Sequence, residues 1–248
     1  MITEERQFSK YLEDQKIIPP KLLTFLNAVS DSYDHYEKDR NILKRTIELC
    51  IKHNVKIGAH PGFADKKHFG RKEQQLQPNQ YYDLIIEQLN ILERTAKIFN
   101  IPIHHVKPHG ALYNLSAKNK TTAAAIARAV KDFNHELILF GLSGSHSITE
   151  ARLSQLKTAS EVFADRTYQN DGSLTPRSQP NALIKDEAMS LKQVLQMIKK
   201  NSVSSIQNLS VPILAETICI HGDTEFAVDF AKRINQALKE NNIAIIAA

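Results

Sequence analysis

The chain has 248 residues, 42% hydrophobic and 24% charged, a balance that supports a folded core and excludes a disordered segment or a fibrous repeat. Its net charge of +5 comes from 32 Lys and Arg interspersed with 27 Asp and Glu, so no basic tract singles out nucleic acid as a partner. No apolar run approaches the ~20 residues that cross a bilayer, the start has no signal-peptide core, and Cys50 and Cys219 lie far apart in apolar runs, which points to reduced thiols and a cytoplasmic protein.

The first forty residues show no convincing strand, and a helix is expected over 21–29 after Pro19-Pro20. Ile42, Leu43, Ile47, Cys50 and Ile51 recur at helical spacing over 40–53, Asn54 offers a C-terminal stop, and a strand follows over 55–59. Residues 63–77 are a polar, glycine-containing loop. Pro78 then opens a helix reaching about Phe99, striped by Tyr82, Ile85, Ile86, Leu89, Leu92 and Ile98. The later elements are a strand over 101–106, an alanine-rich helix over 117–132, a strand over 137–142, a helix over 146–156 and a strand over 159–164. A Gly, Ser and Pro loop over 171–180 precedes a helix over 186–199, a strand over 217–220, a helix over 225–239 and a closing strand over 243–246. Strands alternating with helices favour a parallel sheet with right-handed crossovers, and at this length one α/β barrel domain over 1–248 fits better than two domains. In such folds the site lies at the C-terminal ends of the strands.

Four β-prone runs end in chemically active residues. The central one is Val106-Lys107-Pro108-His109-Gly110-Ala111-Leu112-Tyr113-Asn114, in which Pro108 removes a ladder N–H and Gly110 permits a turn. The others are Gly58-Ala59-His60-Pro61-Gly62, Val162-Phe163-Ala164-Asp165-Arg166 and Ile218-Cys219-Ile220-His221-Gly222-Asp223-Thr224. A lone strand-end histidine is more often structural, but His60, His109 and His221 repeat the placement, which suits general acids or bases, or metal ligands. Lys107 is expected either to neutralise an anionic substrate group or to pair with an acid such as Asp223. Arg166 and Arg177 suit a carboxylate or phosphate, with solvated surface arginines as the plain alternative. Asp223 or Thr224 is placed to cap the following helix. His104 and His105 read as structural. No Walker-type loop is present, so a nucleotide site would be unconventional or shared with another subunit.

These stretches, with Phe69-Gly70-Arg71, Glu161 to Tyr168 and Asp171-Gly172-Ser173-Leu174, resemble the LamB/YcsF family, whose members are A subunits of bacterial 5-oxoprolinase. The likeness runs in order from about Asp39 to the C-terminus. It implies an irregular (β/α) barrel related to polysaccharide deacetylases. It also implies ATP-dependent opening of the lactam of 5-oxo-L-proline to L-glutamate, in a complex with partner subunits B and C, with Mg2+ accompanying ATP and no tightly bound metal. A lactam hydrolyses slowly in neutral water, so coupling to ATP makes sense if the amide oxygen is phosphorylated and made a leaving group. Such a site needs cations, supplied by Lys107, Arg166 and Arg177 with Asp165 and Asn114 beside them, and a base, for which His60, His109, His221 and Asp223 are the candidates. Arg71, His35 and Asp39 are further carry-overs, the last two spaced one residue wider than the family pattern. Residues 1–38 form an atypical segment without the family's acidic first-strand motif, which is expected to leave the barrel incomplete at its first strand or filled there by something else. Two other readings stay open: a metal-dependent deacetylase-like hydrolase, and a non-catalytic ligand-binding or scaffold relative. A homo-oligomer is compatible with all three.

Overall fold

A computed structural model describes residues 2–5, 28–32, 40–65, 67–221 and 227–246. Its strands are β1 (Ile2–Glu5), β2 (Ala28–Ser32), β3 (Lys56–His60), β4 (His105–Val106), β5 (Ile138–Leu142), β6 (Lys157–Phe163), β7 (Ser202–Ser204), β8 (Ser210–Pro212) and β9 (Thr217–His221). The helices are α1 (Arg40–Lys52), α2 (Pro78–Ile98), α3 (Gly110–Lys118), α4 (Lys120–Phe133), α5 (His146–Leu153), α6 (Glu187–Lys200) and α7 (Ala227–Glu240). β1 to β6 and β9 form a closed parallel barrel in that order, with β9 bonded to both β6 and β1, while β7 and β8 make a separate antiparallel pair. Among the described residues, no helix is long and apolar enough to cross a membrane.

The boundaries follow local chemistry. α1 ends at Asn54, whose φ of 53° is the left-handed conformation that asparagine tolerates. At α2, Gln80 Oε1 accepts from the Gln77 N–H at 2.8 Å ahead of Pro78, which has no N–H to lose. Asn119 accepts from the Thr122 N–H and so splits the expected 117–132 helix into α3 and α4. Asp186 caps α6 through the Met189 N–H at 2.7 Å.

Strand side chains alternate between two environments. Ile57, Ala59, Val106 and Leu139 face outward onto Leu43, Ile47, Ile85, Leu89, Leu92, Ile126 and Val130. Val162, Ile218 and Ile220 join Val194, Phe230, Ile234 and Leu238 on the other side. Inside the barrel, His105 stacks on Phe140 with ring centroids 4.3 Å apart. A Cβ on Gly58 would lie 2.2 Å from His105 Nε2, so only glycine there admits the ring. Desolvation pushes the His105 pKa well below 6.5, helped by the positive charges of His104, Lys107 and His60.

Other expectations change as well. The barrel is closed at its first strand: β1 pairs with β2 and β9, and its sequence, Ile2-Thr3-Glu4-Glu5, is too short and polar to announce a strand. Ala28 and Val29 belong to β2 and not to a helix; the rest of 21–29 lies outside the described residues. Residues 243–246 make no strand: Ile243 and Ile245 pack against the core, and the Ile243 N–H bonds Leu238 O at the end of α7.

Candidate active site

The C-terminal ends of β3, β4, β6 and β9 deliver the four sequence motifs to one end of the barrel. His60 ends β3, and its Nδ1 donates to Lys107 O at 2.6 Å. Its Nε2 lies 2.8 Å from His109 Nδ1, and His109 Nε2 donates to Phe69 O at 2.8 Å. Both ends of this chain are carbonyl oxygens, which only accept, so His60 Nδ1 and His109 Nε2 each carry a hydrogen. The pair's surroundings are rigid: Gln88 bonds both the N–H and the C=O of Gly62, and the His109 N–H bonds Pro61 O. Phe69 and Gly70 have φ of 54° and 64°, a left-handed pair that turns the Phe69 carbonyl toward His109. Gly110, at φ 54°, is the residue this corner requires, because a Cβ there would meet Gly70 O at 2.8 Å.

Lys107 pairs with an acid, and the acid is Glu161. The ammonium lies 2.9 Å from Glu161 Oε1, with both side chains wholly buried inside the barrel. It also donates to Cys219 Sγ at 3.1 Å and sits 5.4 Å above the Phe163 ring. Tyr113 closes over the pair; burial, then the Glu161 charge, pushes its phenol well above its ordinary pKa.

Asp165 and His221 form the second imidazole unit. His221 Nδ1 is 2.9 Å from both Asp165 oxygens, and the His221 backbone N–H donates to the same carboxylate at 3.0 Å. Burial alone would raise the Asp165 pKa. The charge and two hydrogen bonds of His221, with Arg177 further off, outweigh it and hold the carboxyl below its usual range. The His221 ring stacks on Phe163 at 5.7 Å.

At His221 opens a cleft of about 270 Å³, whose lining includes the cations Arg71, Lys118, Arg166 and Arg177 and the apolar side chains Leu142, Phe163 and Leu174. Among the described residues, none that lines it is a carboxylate. Arg166 is buried and donates to Ala182 O and Thr175 O, so it also fastens the loop that carries Arg177. Arg71, Arg177 and Asn114 are exposed on the rim, where the Asn114 amide donates to Gly110 O. His60, His109, Lys107 and Asp165 lie beneath, buried. His35, Asp39, Asp223 and Thr224 lie outside the described residues. Sequence reasoning passed over Glu161, Tyr113 and Lys118; an acid at the inward period of Ala159-Ser160-Glu161-Val162-Phe163 is the signal that marks the first of these.

A closed parallel barrel with buried imidazoles and a cationic cleft at its strand ends defines a (β/α) barrel protein with one polar site built from strand termini. Residues 22–248 match the LamB/YcsF family, and the chain belongs to that family. The 5-oxoprolinase A subunit of Geobacillus kaustophilus is 48% identical over 225 residues, covering 91% of this chain and 88% of that one. Its namesake from Oceanobacillus iheyensis is 44% identical over the same shares of each chain. The crystal structure of the lactam utilization protein from Thermus thermophilus superposes with a TM-score of 0.86 at 30% identity, covering 100% of this chain and 98% of that one.

Proposed function

We propose that this chain is the A subunit of a 5-oxoprolinase, which opens the cyclic amide of 5-oxo-L-proline to L-glutamate with hydrolysis of ATP, in the cytoplasm and together with subunits B and C. The observation that carries the reading is the cleft at His221: cations and apolar side chains together in its lining, with a carboxylate-bound imidazole among them. Relatives that bear the name of this subunit support it.

Each part of the cleft has work to do in that reaction. The substrate is a small ring with one carboxylate, and a volume of about 270 Å³ suits it. Arg71 and Arg177 at the rim take the carboxylate, while the ring lies against Phe163, Leu142 and Leu174. ATP supplies a phosphoryl group that turns the amide oxygen into a leaving group, and the remaining cations, Lys118 and Arg166, suit phosphate oxygens. Mg2+ enters with the nucleotide as its counter-ion.

With Nδ1 bonded to Asp165, His221 exchanges protons through Nε2. It accepts a proton from the water that adds to the phosphorylated ring carbon and returns one to the ring nitrogen as the C–N bond breaks, while Asp165 stabilises the imidazolium between those steps; the acyl phosphate left by that cleavage takes a second water, which releases inorganic phosphate and the side-chain carboxylate of L-glutamate. The His60–His109 pair acts at one remove: it fixes the Phe69-Gly70 and Gly110 corners from which the cleft's near wall is made. Lys107 does the same from below, through Glu161, and Asn114 braces the start of α3. The test is 5-oxoproline-dependent ATP hydrolysis by the chain with and without its partner subunits. Hydrolysis that needs both the substrate and all subunits supports the reading; hydrolysis that ignores 5-oxoproline overturns it.

A further inference from the structure

A second cleft, of about 440 Å³, adjoins the first and shares Ala117, Lys118, Leu142 and Ser173 with it. Its far wall is the loop Ser143-Gly144-Ser145-His146, which leaves the C-terminal end of β5 and opens α5. The first-turn N–H groups of a helix have no intrahelical acceptor, and the helix end carries a partial positive charge. Gly144 has a φ of 75°, and nothing lies within 4 Å of the place its Cβ would take, so the loop's outer side is open.

A helix start alone would not make a site. The second observation is Ser145, which sits in the N-cap position yet makes no side-chain cap bond. It is only 9% exposed, and its Oγ has no hydrogen-bond partner among the described residues. The neighbouring hydroxyls are engaged: Ser143 Oγ accepts from the Leu214 N–H at 2.8 Å, and Ser147 Oγ bonds Ser116 Oγ at 2.9 Å. A buried hydroxyl without a partner opposes folding, and a ligand oxygen would remove that penalty. Lys118 adds a cation on the edge common to both clefts. Asp171, also in the lining, is ionised; hydrogen bonds from Ser173 and the Lys118 charge hold its carboxyl below the ordinary range. It disfavours bare phosphate and favours a phosphate that brings a divalent cation.

We propose that the Ser143-Gly144-Ser145-His146 loop binds phosphoryl oxygens, with Ser145 Oγ–H and the α5 first-turn N–H groups as donors, next to the cleft that takes the lactam. That the phosphate belongs to a nucleotide rests on the 5-oxoprolinase reading; that the loop binds phosphate does not. Lys118 and the shared edge then join nucleotide to substrate.

The test is titration of the full chain with inorganic phosphate, and with ATP in the presence and absence of Mg2+, followed by backbone amide shifts and by calorimetry. Shifts at Gly144, His146 and Ser147, and tighter binding of ATP with Mg2+, are expected. The Ser145→Asp variant keeps a good N-cap residue but sets a negative charge against the ligand, and it is expected to weaken binding at least tenfold. Ser145→Ala, which removes only one hydrogen bond to a charged group, is expected to weaken it by about tenfold. Unchanged affinity in both variants, or wild-type shifts confined to the Arg71 and Arg177 side, overturns the proposal. Phosphate binding at the loop in a chain that never turns over 5-oxoproline supports this site and overturns the functional reading alone.

Discussion

Removing either end of the Lys107–Glu161 pair is expected to cost far more stability than removing both. The two charges lie 2.9 Å apart with no solvent exposure on either side chain. With an effective dielectric of ~20 their gross attraction is about 6 kcal/mol, set against the several kcal/mol it takes to strip water from each ion. Lys107→Met leaves the Glu161 carboxylate buried beneath Tyr113 and Phe163, and Glu161→Leu leaves an ammonium among Phe163, Tyr113 and Cys219. Each single change is expected to cost about 3–5 kcal/mol. The double variant fills the same space with apolar atoms and is expected to fall within about 2 kcal/mol of the parent, well below the sum of the two singles. Urea denaturation of all four proteins measures the cycle. Single variants that each cost under about 1 kcal/mol, or a double variant equal to their sum, would refute the view that the two charges hold each other inside the barrel.

Two other expectations rest on single positions. His105 titrates below its ordinary value in the folded protein, so as pH falls the unfolded chain takes up this proton first. Stability is therefore expected to drop as pH falls below ~6.5, with a slope of up to about 1.4 kcal/mol per pH unit from this group, and His105→Gln is expected to flatten that slope in melts recorded between about pH 7 and 5. Gly110→Ala places a Cβ 2.8 Å from Gly70 O at a left-handed φ, and is expected to lower stability by about 1–3 kcal/mol and to shift the Phe69-Gly70 amide resonances. A variant with parental stability and unshifted resonances there would mean the corner is not constrained.

The helices were legible because their faces are regular: Ile85, Leu89 and Leu92 fall where the stripe of α2 puts them, and all three are buried. The strand-end motifs were legible because Pro, Gly and His interrupt apolar runs, and the fold brings those ends together. β1 and β2 were not, since Ile2-Thr3-Glu4-Glu5 and Ala28-Val29-Ser30-Asp31-Ser32 owe their pairing to neighbours far along the chain and not to their own pattern. β4 pairs over only two residues, His105 and Val106, although 101–106 reads as strand; Ile101 and Ile103 pack on the helical side. Within the site, residue types were legible but depth was not. Lys107 and Arg177 look alike as cations near turns, yet one is sealed in the barrel and the other stands on the rim. Which of the two open roles Lys107 takes is decided by Glu161, from a strand well further along the chain, and no local pattern links them. Ser145 was hidden for the opposite reason: it reads as an ordinary helix start, and only its missing cap bond sets it apart.

The central claim is that a carboxylate-held His221 in a cationic cleft opens the lactam. Its most direct test is glutamate formation from 5-oxo-L-proline and ATP by the chain reconstituted with subunits B and C, comparing the parent with His221→Gln. The account predicts glutamate release coupled to ATP hydrolysis in the parent and a loss of at least about 10²-fold in kcat for the folded variant. Parental turnover in His221→Gln would contradict it.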